Sequence, residues 1–246
     1  MLGFKKKKIA ILCIHGFAGG IHDIEDVANY LELNKNFDVF AFTLPGHDEG
    51  LFIKTKKEDW IKACEDKINW LIDNDYDSIY LVGHSMGCIL SCIMATKYKQ
   101  IKKLVLLSPA FKYMENTDDK FDLFKSITNS KKILGDYKTS EVIARFSQVP
   151  VSTLKSFMEL TKENQAVVKN ICVPILIVHG KEDYIAPLSS GEYVHNSVSS
   201  KVNILVKVAG ANHEILKCKS KKEILKLVSS FLKLDFIISR KDVINI

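Results

Sequence analysis

The sequence predicts an α/β fold: a mostly parallel, doubly wound sheet with helices on both faces. Its 246 residues, 47% hydrophobic and 26% charged, describe a globular protein that is long enough for one large core. Six short, nearly continuous apolar runs have the composition of strands buried on both faces. Amphipathic helical patterns separate most of these runs, and that alternation is typical of a parallel sheet.

The predicted elements follow one another along the chain. The strands are expected at residues 9–14, 39–43, 79–82, 104–108, 175–179 and 203–208. The helices between the first four strands are expected at residues 24–33, 58–72 and 88–98. A last helix should begin after Ser220, which has Glu223 three residues further on, the spacing of a capping box.

The alternation is interrupted between residues 111 and 170, where no apolar strand occurs. Polar sequence is followed there by helical patterns at residues 140–146, 150–160 and 163–170. Long connections in compact domains often form lids or binding elements. We therefore expect residues 1–110 and 171–246 to form the α/β core and residues 111–170 a small helical cap insertion. The tail, residues 235–246, is left without an assigned element.

Charge and cysteine usage limit the class of protein. The formal net charge is +6, but the lysines are scattered and form no basic stripe interleaved with aromatic residues, so no nucleic-acid partner is expected. No segment approaches the roughly 18 apolar residues of a membrane span, so no stable membrane insertion is expected. The six cysteines include no CxxC pair and lie mostly in apolar runs. We therefore expect the cysteines to be reduced and structural, and the protein to be cytoplasmic.

Ser85 stands between two glycines in the segment GHSMG, residues 83–87, with a predicted strand before it and a predicted helix after it. This G-x-S-x-G pattern in that setting predicts a nucleophile elbow. A strand that turns directly into a helix strains the corner residue, so its neighbours must lack side chains. The first N–H groups of the helix then face any negative charge that develops at the corner. The alternative is a glycine-rich turn with an incidental serine.

A nucleophilic serine needs a base and an acid that orients the base. For a nucleophile elbow these groups follow in the order serine, acid, histidine, each after a strand. Asp183 follows the predicted strand at residues 175–179, and Glu182 is the alternative acid one position earlier. His213 follows the strand at residues 203–208 and is predicted to be the base. The alternative interpretations are that Asp183 is a turn or helix-cap residue and that His213 is a surface-loop histidine.

Two backbone N–H groups are expected to stabilise an oxyanion, those of Met86, directly after Ser85, and Phe17, in the loop HGFAGG after the first strand. This glycine-rich loop lacks both GxxxxGK[ST] and GxGxxG, so a nucleotide site is not favoured. The seven histidines are dispersed and no HExxH occurs, so neither a metal nor another cofactor is expected.

Five segments together resemble the α/β-hydrolase fold: HGFAGG at 15–20, LPGHDEG at 44–50, GHSMG at 83–87, GKED at 180–183 and GANH at 210–213. Within that fold the chain is similar to small bacterial carboxylesterases and monoacylglycerol lipases, in which an Asp-Trp pair, here Asp59 and Trp60, opens the helix before the nucleophile strand. The resemblance covers nearly the whole chain. It implies a Ser85, Asp183 and His213 triad, with Phe17 and Met86 at the oxyanion hole.

The expected activity is therefore hydrolysis of small-molecule carboxylic esters, by analogy short- to medium-chain acyl esters or monoacylglycerols. An acyl pocket is expected to be lined by Phe146, Phe157 and Met158 of the cap and by Ile185. Peptide or thioester hydrolysis would use the same triad and stays open. A non-catalytic binding member of the fold is a further alternative, although such proteins typically lack a triad residue. A serine at position 85 excludes mechanisms that need an acidic nucleophile. Oligomeric state is not predicted.

Overall fold

Seven parallel strands form one sheet in the computed structural model, which describes residues 8–47, 53–112, 148–235 and 239–246. The strand order is β2-β1-β3-β4-β5-β6-β7. The strands are β1 (Ile9–Ile14), β2 (Asp38–Ala41), β3 (Ser78–His84), β4 (Ile101–Leu107), β5 (Ile175–Gly180), β6 (Val202–Val208) and β7 (Arg240–Asn245). The direction of chain progression reverses between β1 and β3, which makes their carboxyl ends the topological switch point.

Helices cover both faces of the sheet. The described α-helices are α1 (Glu25–Glu32), α2 (Lys57–Asp73), α3 (Met86–Lys97), α4 (Val151–Glu163), α5 (Leu188–Ser197) and α6 (Lys221–Lys233). The buried side chains of α1 and α6 belong to one hydrophobic cluster. Those of α2, α3, α4 and α5 belong to another. The fold is therefore a doubly wound α/β sheet with a hydrophobic layer on each side, as the sequence predicts.

The strands supply both layers because successive side chains point to opposite faces of a sheet. In β1, Ala10, Leu12 and Ile14 join the cluster under α2 and α3. Ile11 and Cys13 join the cluster under α1 and α6. Every residue of β3 is buried, so neither face has a place for polar alternation. This double burial explains why the strands have nearly continuous apolar sequences.

The six predicted strands and the predicted helices of the core are confirmed, with ends that differ by at most three residues. The capping box at the last helix is wrong. Ser220 does precede α6, but its side chain makes no capping hydrogen bond. The helix is instead held by its buried apolar face, which includes Ile224, Val228 and Phe231.

The helical insertion is described only in its last third. The predicted helix at residues 140–146 lies outside the described residues, whereas those at 150–160 and 163–170 correspond to α4 and to a 3-10 segment, Gln165–Asn170. Two hydrogen bonds attach α4 to the start of α2, from the Thr55 N–H to Thr153 Oγ1 at 3.1 Å and from the Lys57 N–H to Ser156 Oγ at 2.9 Å. The Lys57 ammonium also lies 2.6 Å from Glu163.

The tail contains a seventh strand that the sequence analysis did not assign. β7 pairs in parallel with β6 at the edge of the sheet. Its residues are mostly exposed, and Val243 is 50% accessible. Ile244 and Ile246 pack against the cluster under α6. Charged residues are common on exposed edge strands because they discourage pairing with other chains, and here they mask the apolar alternation.

Candidate active site

Ser85 occupies the sharp turn between β3 and α3. Its backbone has φ 52° and ψ −113°, a conformation that side-chain-bearing residues rarely adopt and that functional sites often hold under strain. The turn is this tight because both flanking glycines touch backbone. A Cβ on Gly83 would lie 2.5 Å from the Gly87 carbonyl oxygen, and one on Gly87 would lie 2.1 Å from the Ile14 carbonyl oxygen. The G-x-S-x-G spacing is thus a steric requirement of this turn.

The three predicted triad residues lie in contact with one another. His213 Nε2 is 2.9 Å from Ser85 Oγ, and His213 Nδ1 is 2.8 Å from Asp183 Oδ2. All three residues are buried. They reach this point from the ends of β3, β5 and β6, because the carboxyl ends of parallel strands meet at one edge of the sheet. The geometry allows a proton to pass from the serine hydroxyl to an imidazole that a carboxylate orients.

Of the two candidate acids, Asp183 is the one that contacts His213, whereas Glu182 is exposed. Asp183 Oδ1 accepts hydrogen bonds from the backbone N–H groups of Ile185, at 3.0 Å, and Ala186, at 2.9 Å. Burial alone would raise the pKa of Asp183, but His213 and His179 next to the carboxylate lower it far below the usual range of aspartate. Asp183 is therefore ionised throughout the neutral range.

His213, the predicted base, is a buried imidazole with a raised pKa. Burial lowers the pKa of His213, but the charge of Asp183 and its hydrogen bond to Nδ1 outweigh burial, so the pKa lies above the ordinary value of histidine. The more distant carboxylates of Glu214 and Asp23 act in the same direction. On the other side, the His84 ring donates from Nε2 to the His213 carbonyl oxygen at 3.1 Å, which fixes the backbone of the loop that carries the base.

The two predicted oxyanion donors lie on segments that meet at Ser85. Met86 is the first residue of α3, and the N–H groups of a first helical turn have no carbonyl partner within their helix. The loop that carries Phe17 touches the nucleophile, since a Cβ on Gly16 would lie 3.0 Å from Ser85 Cβ. The use of the Phe17 and Met86 N–H groups as oxyanion donors stays a prediction.

His15 is a neutral imidazole that holds in place the loop HGFAGG, residues 15–20, which is the predicted oxyanion loop. Its Nδ1 donates to the Gly16 carbonyl oxygen at 2.8 Å, and its Nε2 accepts from the Leu44 N–H at 2.9 Å. Burial, with a smaller contribution from His47, lowers the pKa of His15 to about 4. The ring therefore keeps the one tautomer that satisfies both partners at neutral pH.

Phe17 itself is packed among aromatic rings. It stacks on Phe157 of α4 with ring centroids 4.4 Å apart, and its edge contacts Trp60 and His47. The Trp60 indole N–H donates to the Pro45 carbonyl oxygen at 3.0 Å. In the Asp-Trp pair, Trp60 thus contacts Phe17. Asp59 caps the start of α2 by accepting from the Lys56 N–H at 2.8 Å.

The predicted acyl-pocket residues have different environments. Phe146 lies outside the described residues. Phe157 is fully buried against Phe17, so its ring connects α4 to the loop that carries Phe17. Met158 and Ile185 are partly exposed. Their contacts with a substrate stay predictions.

Sequence reasoning missed two residues near the triad. Asp23 is a buried carboxylate whose Oδ2 accepts from the Gly20 N–H at 3.3 Å. His179 contacts the acid directly, with Nε2 3.2 Å from Asp183 Oδ2. The spacing of His179, four residues before the acid at the end of a strand, is the signal that could have identified it.

The described residues include neither a membrane-spanning helix nor a metal-binding cluster. None of the described helices combines the length and the apolar character required to cross a bilayer. No group of three or more histidine, cysteine or carboxylate side chains within those ranges is arranged to hold a metal ion.

The fold and site define a doubly wound α/β protein with a strained serine at its topological switch point. A family model described as the alpha/beta hydrolase fold matches residues 9–171. The chain is 26% identical over 239 residues to a carboxylesterase of Bacillus subtilis (strain 168), and the alignment covers 95% of this chain and 96% of that protein. The chain therefore belongs to the α/β-hydrolase fold family, in which it is an enzyme similar to esterases and lipases.

Solved structures agree on the fold. A monoacylglycerol lipase of Paleococcus ferrophilus superposes with a TM-score of 0.69 at 19% identity, over 91% of this chain and 93% of that one. The structure described for LipS and LipT, two metagenome-derived lipolytic enzymes, gives a TM-score of 0.72 at 18% identity, over 92% of this chain and 94% of that one. At these identities the similarity concerns the fold.

Proposed function

We propose that this protein hydrolyses carboxylic esters of small molecules through a covalent acyl-enzyme on Ser85. The observation that carries the proposal is the chain of contacts from Ser85 Oγ to His213 Nε2, 2.9 Å, and from His213 Nδ1 to Asp183 Oδ2, 2.8 Å. The B. subtilis carboxylesterase, which is similar along nearly its whole length, supports the ester as the substrate class.

In the first half-reaction Ser85 Oγ attacks the ester carbonyl carbon while His213 Nε2 takes the serine proton. The negative charge on the carbonyl oxygen faces the N–H groups proposed as its donors, those of Met86 and Phe17. The tetrahedral intermediate then expels the alcohol, which receives the proton from His213. Ser85 is left as an acyl ester. The ionised Asp183 stabilises the His213 imidazolium while it carries the proton.

In the second half-reaction water takes the place of the alcohol. His213 removes a proton from the water molecule, the resulting oxygen nucleophile attacks the acyl carbon, and the same imidazole returns the proton to Ser85 Oγ. The carboxylic acid leaves and the resting enzyme is restored. No step calls on a group beyond those of the chain, the substrate and water.

We also propose that residues 111–170 act as a cap over an acyl pocket, with Phe146, Phe157, Met158 and Ile185 in its wall. The stacking of Phe157 on Phe17 supports this arrangement because it fixes α4 above the proposed oxyanion loop. By analogy with the carboxylesterase and the monoacylglycerol lipase to which the chain is similar, the proposed substrates are short- to medium-chain acyl esters or monoacylglycerols. A cytoplasmic location is part of the proposal, and the six unpaired cysteines support it.

A comparison of matched substrates tests the ester proposal. We expect p-nitrophenyl esters with acyl chains of increasing length to be hydrolysed, with kcat/KM highest at short or medium length. The p-nitroanilide and the thioester of the preferred acyl group should be poorer substrates than the ester. Labelling by a fluorophosphonate, located on Ser85 by peptide mass spectrometry, reports activation of the serine independently of the acyl group. If the amide or the thioester were hydrolysed faster than the ester, peptide or thioester hydrolysis would replace ester hydrolysis as the proposed activity.

The pH dependence of the reaction follows from the raised pKa of His213. His213 must be neutral to accept the serine proton, so activity is lost as the pH falls through its pKa. We expect kcat/KM to rise with pH along a single limb whose midpoint lies above about 6.5, the ordinary value for histidine. The measurement is kcat/KM from pH 5 to 9 with a substrate that does not titrate in that range. A midpoint below the ordinary value would contradict this assignment of the base.

A further inference from the structure

His179, at the end of β5, is a buried imidazole outside the proposed triad, with 0% of its surface accessible. Its Nε2 lies 2.7 Å from the Ala186 carbonyl oxygen and 3.2 Å from Asp183 Oδ2. Both of these atoms are acceptors, so Nε2 carries the hydrogen. The N–H donates to the Ala186 carbonyl oxygen and lies within reach of Asp183 Oδ2. The other ring nitrogen, Nδ1, is buried without a hydrogen-bond partner among the described residues.

Space for this ring is made by Gly191, in the interior of α5. A Cβ on Gly191 would lie 2.7 Å from His179 Nδ1. Glycine within a helix is less stable than alanine, and a buried nitrogen without a partner is unfavourable. A leucine or valine at position 179 would avoid the buried nitrogen and would suit a parallel strand better. The retention of an imidazole under these conditions indicates that the Nε2 donor has a role.

The donor completes a closed set of contacts around the acid. Asp183 Oδ1 accepts from the N–H groups of Ile185 and Ala186. Asp183 Oδ2 accepts from His213 Nδ1 and lies 3.2 Å from His179 Nε2, whose N–H stabilises the carboxylate and lowers its pKa. Since His179 also holds the Ala186 carbonyl oxygen, one ring fixes both the carboxylate and the turn that carries its other donors. The carboxylate can then present only Oδ2 to the base.

We propose that His179 is a positioning residue for the acid of the triad, which holds the Asp183 carboxylate in the one rotation that presents Oδ2 to His213. The inference rests on the proposed function and adds a fourth side chain to its machinery. His179 touches no reacting atom. It acts through Asp183, so its loss should reduce catalysis while substrate binding is retained.

The groups around His213 determine how its titration responds to the loss of His179. From β3 the ring faces Ser85 Oγ and lies 5.3 Å from the His84 ring. From the loop after β5 it faces Asp183, and the carboxylates of Glu214 and Asp23 are further away. Among these groups, a substitution at position 179 acts directly on Asp183 alone. Oδ2 then has His213 as its single side-chain donor and attracts the His213 imidazolium more strongly.

Two substitutions distinguish the effect of the Nε2–H donor from that of the imidazole ring itself. His179→Leu removes the donor, whereas His179→Gln places an amide N–H at a similar reach. We expect His179→Leu to lower kcat about 100-fold, as small displacements of catalytic groups do, with KM changed less than about threefold. The acid limb of kcat/KM should move to higher pH. His179→Gln should recover most of kcat and the parent limb.

A matched control is His195, a second buried imidazole, whose Nδ1 bonds Asn203 Oδ1 at 2.8 Å within the α5 and β6 layer. His195→Gln removes a buried imidazole contact away from the site. It should change thermal stability but neither kcat nor the position of the acid limb. If His179→Leu changes kcat and the limb no more than His195→Gln does at comparable loss of stability, His179 is structural only and the inference is overturned.

A readout without substrate keeps this test separate from the proposed function. The proton between His213 Nδ1 and Asp183 gives a resonance far downfield of the amide region, assigned by its loss in His213→Gln. We expect it to shift or broaden in His179→Leu and to persist in His179→Gln and His195→Gln. An unchanged resonance in His179→Leu overturns the inference even if the protein hydrolyses esters. If no ester is hydrolysed, the proposed function fails while the resonance still reports on the positioning of Asp183.

Discussion

Replacement of Ser85 by alanine is expected to lower kcat for ester hydrolysis about a million-fold, the scale on which loss of a triad nucleophile acts in serine hydrolases. Alanine leaves no oxygen to form the acyl-enzyme, so only the proposed oxyanion donors and the bound orientation of the substrate can contribute to the remaining rate. The backbone strain at φ 52° stays in the variant, so the fold should be preserved. The measurement is burst and steady-state kinetics with the preferred p-nitrophenyl ester, together with thermal unfolding.

Ser108→Ala is the matched control for Ser85→Ala. Ser108 directly follows the neighbouring strand β4, has a positive φ of 47° and is fully buried. Its hydroxyl has no hydrogen-bond partner within the described residues, so its removal should leave kcat near the parent value. Equal rates for the parent protein and Ser85→Ala, or equal losses in the two variants, would contradict the role of Ser85.

Replacement of Asp183 by asparagine is expected to lower kcat about 10,000-fold, the effect that the same exchange has in serine proteases. The backbone N–H groups of Ile185 and Ala186 require an acceptor at the Oδ1 position. The amide of asparagine therefore directs its NH2 group at His213 Nδ1. That contact favours the tautomer with its hydrogen on Nε2, and such an imidazole cannot accept the proton of Ser85.

Glu182→Gln is the control for Asp183→Asn, because it makes the same chemical change at the adjacent, exposed position. Circular dichroism and the proton spectrum establish that both variants are folded, and kcat against pH is measured for each. We expect Glu182→Gln to retain parent kcat and its acid limb. A larger loss in Glu182→Gln than in Asp183→Asn would transfer the role of the acid to Glu182.

Most of the core could be predicted because burial on both faces makes the strand sequences nearly continuous apolar runs. β3 and β5 are fully buried and were located within one or two residues. β2 is shorter than predicted and only partly buried. β7 could not be recognised because only its inner face packs on the core, and Arg240, Lys241 and Asp242 conceal that pattern.

The contacts among Ser85, Asp183 and His213 were predictable because each residue follows a strand, and the carboxyl ends of parallel strands meet at one edge. The choice between Asp183 and Glu182 depended on spacing alone, since the sequence does not state which carboxylate points inward. His179 was not recognised as a neighbour of the acid because its contacts depend on the space that Gly191 leaves. The sequence alone does not reveal that the ring at position 179 fits the space left by a glycine twelve residues later.

The pairing of β7 with β6 has a consequence for the loop that carries His213. The Ile246 N–H donates to the Lys207 carbonyl oxygen at 3.0 Å, and the Ile246 carbonyl oxygen accepts from the Ala209 N–H at 2.7 Å. Ala209 begins the loop that leads to His213. The backbone of Ile246 therefore joins the end of β6 to the first residue of that loop, so the edge strand helps to hold in place the segment that carries His213.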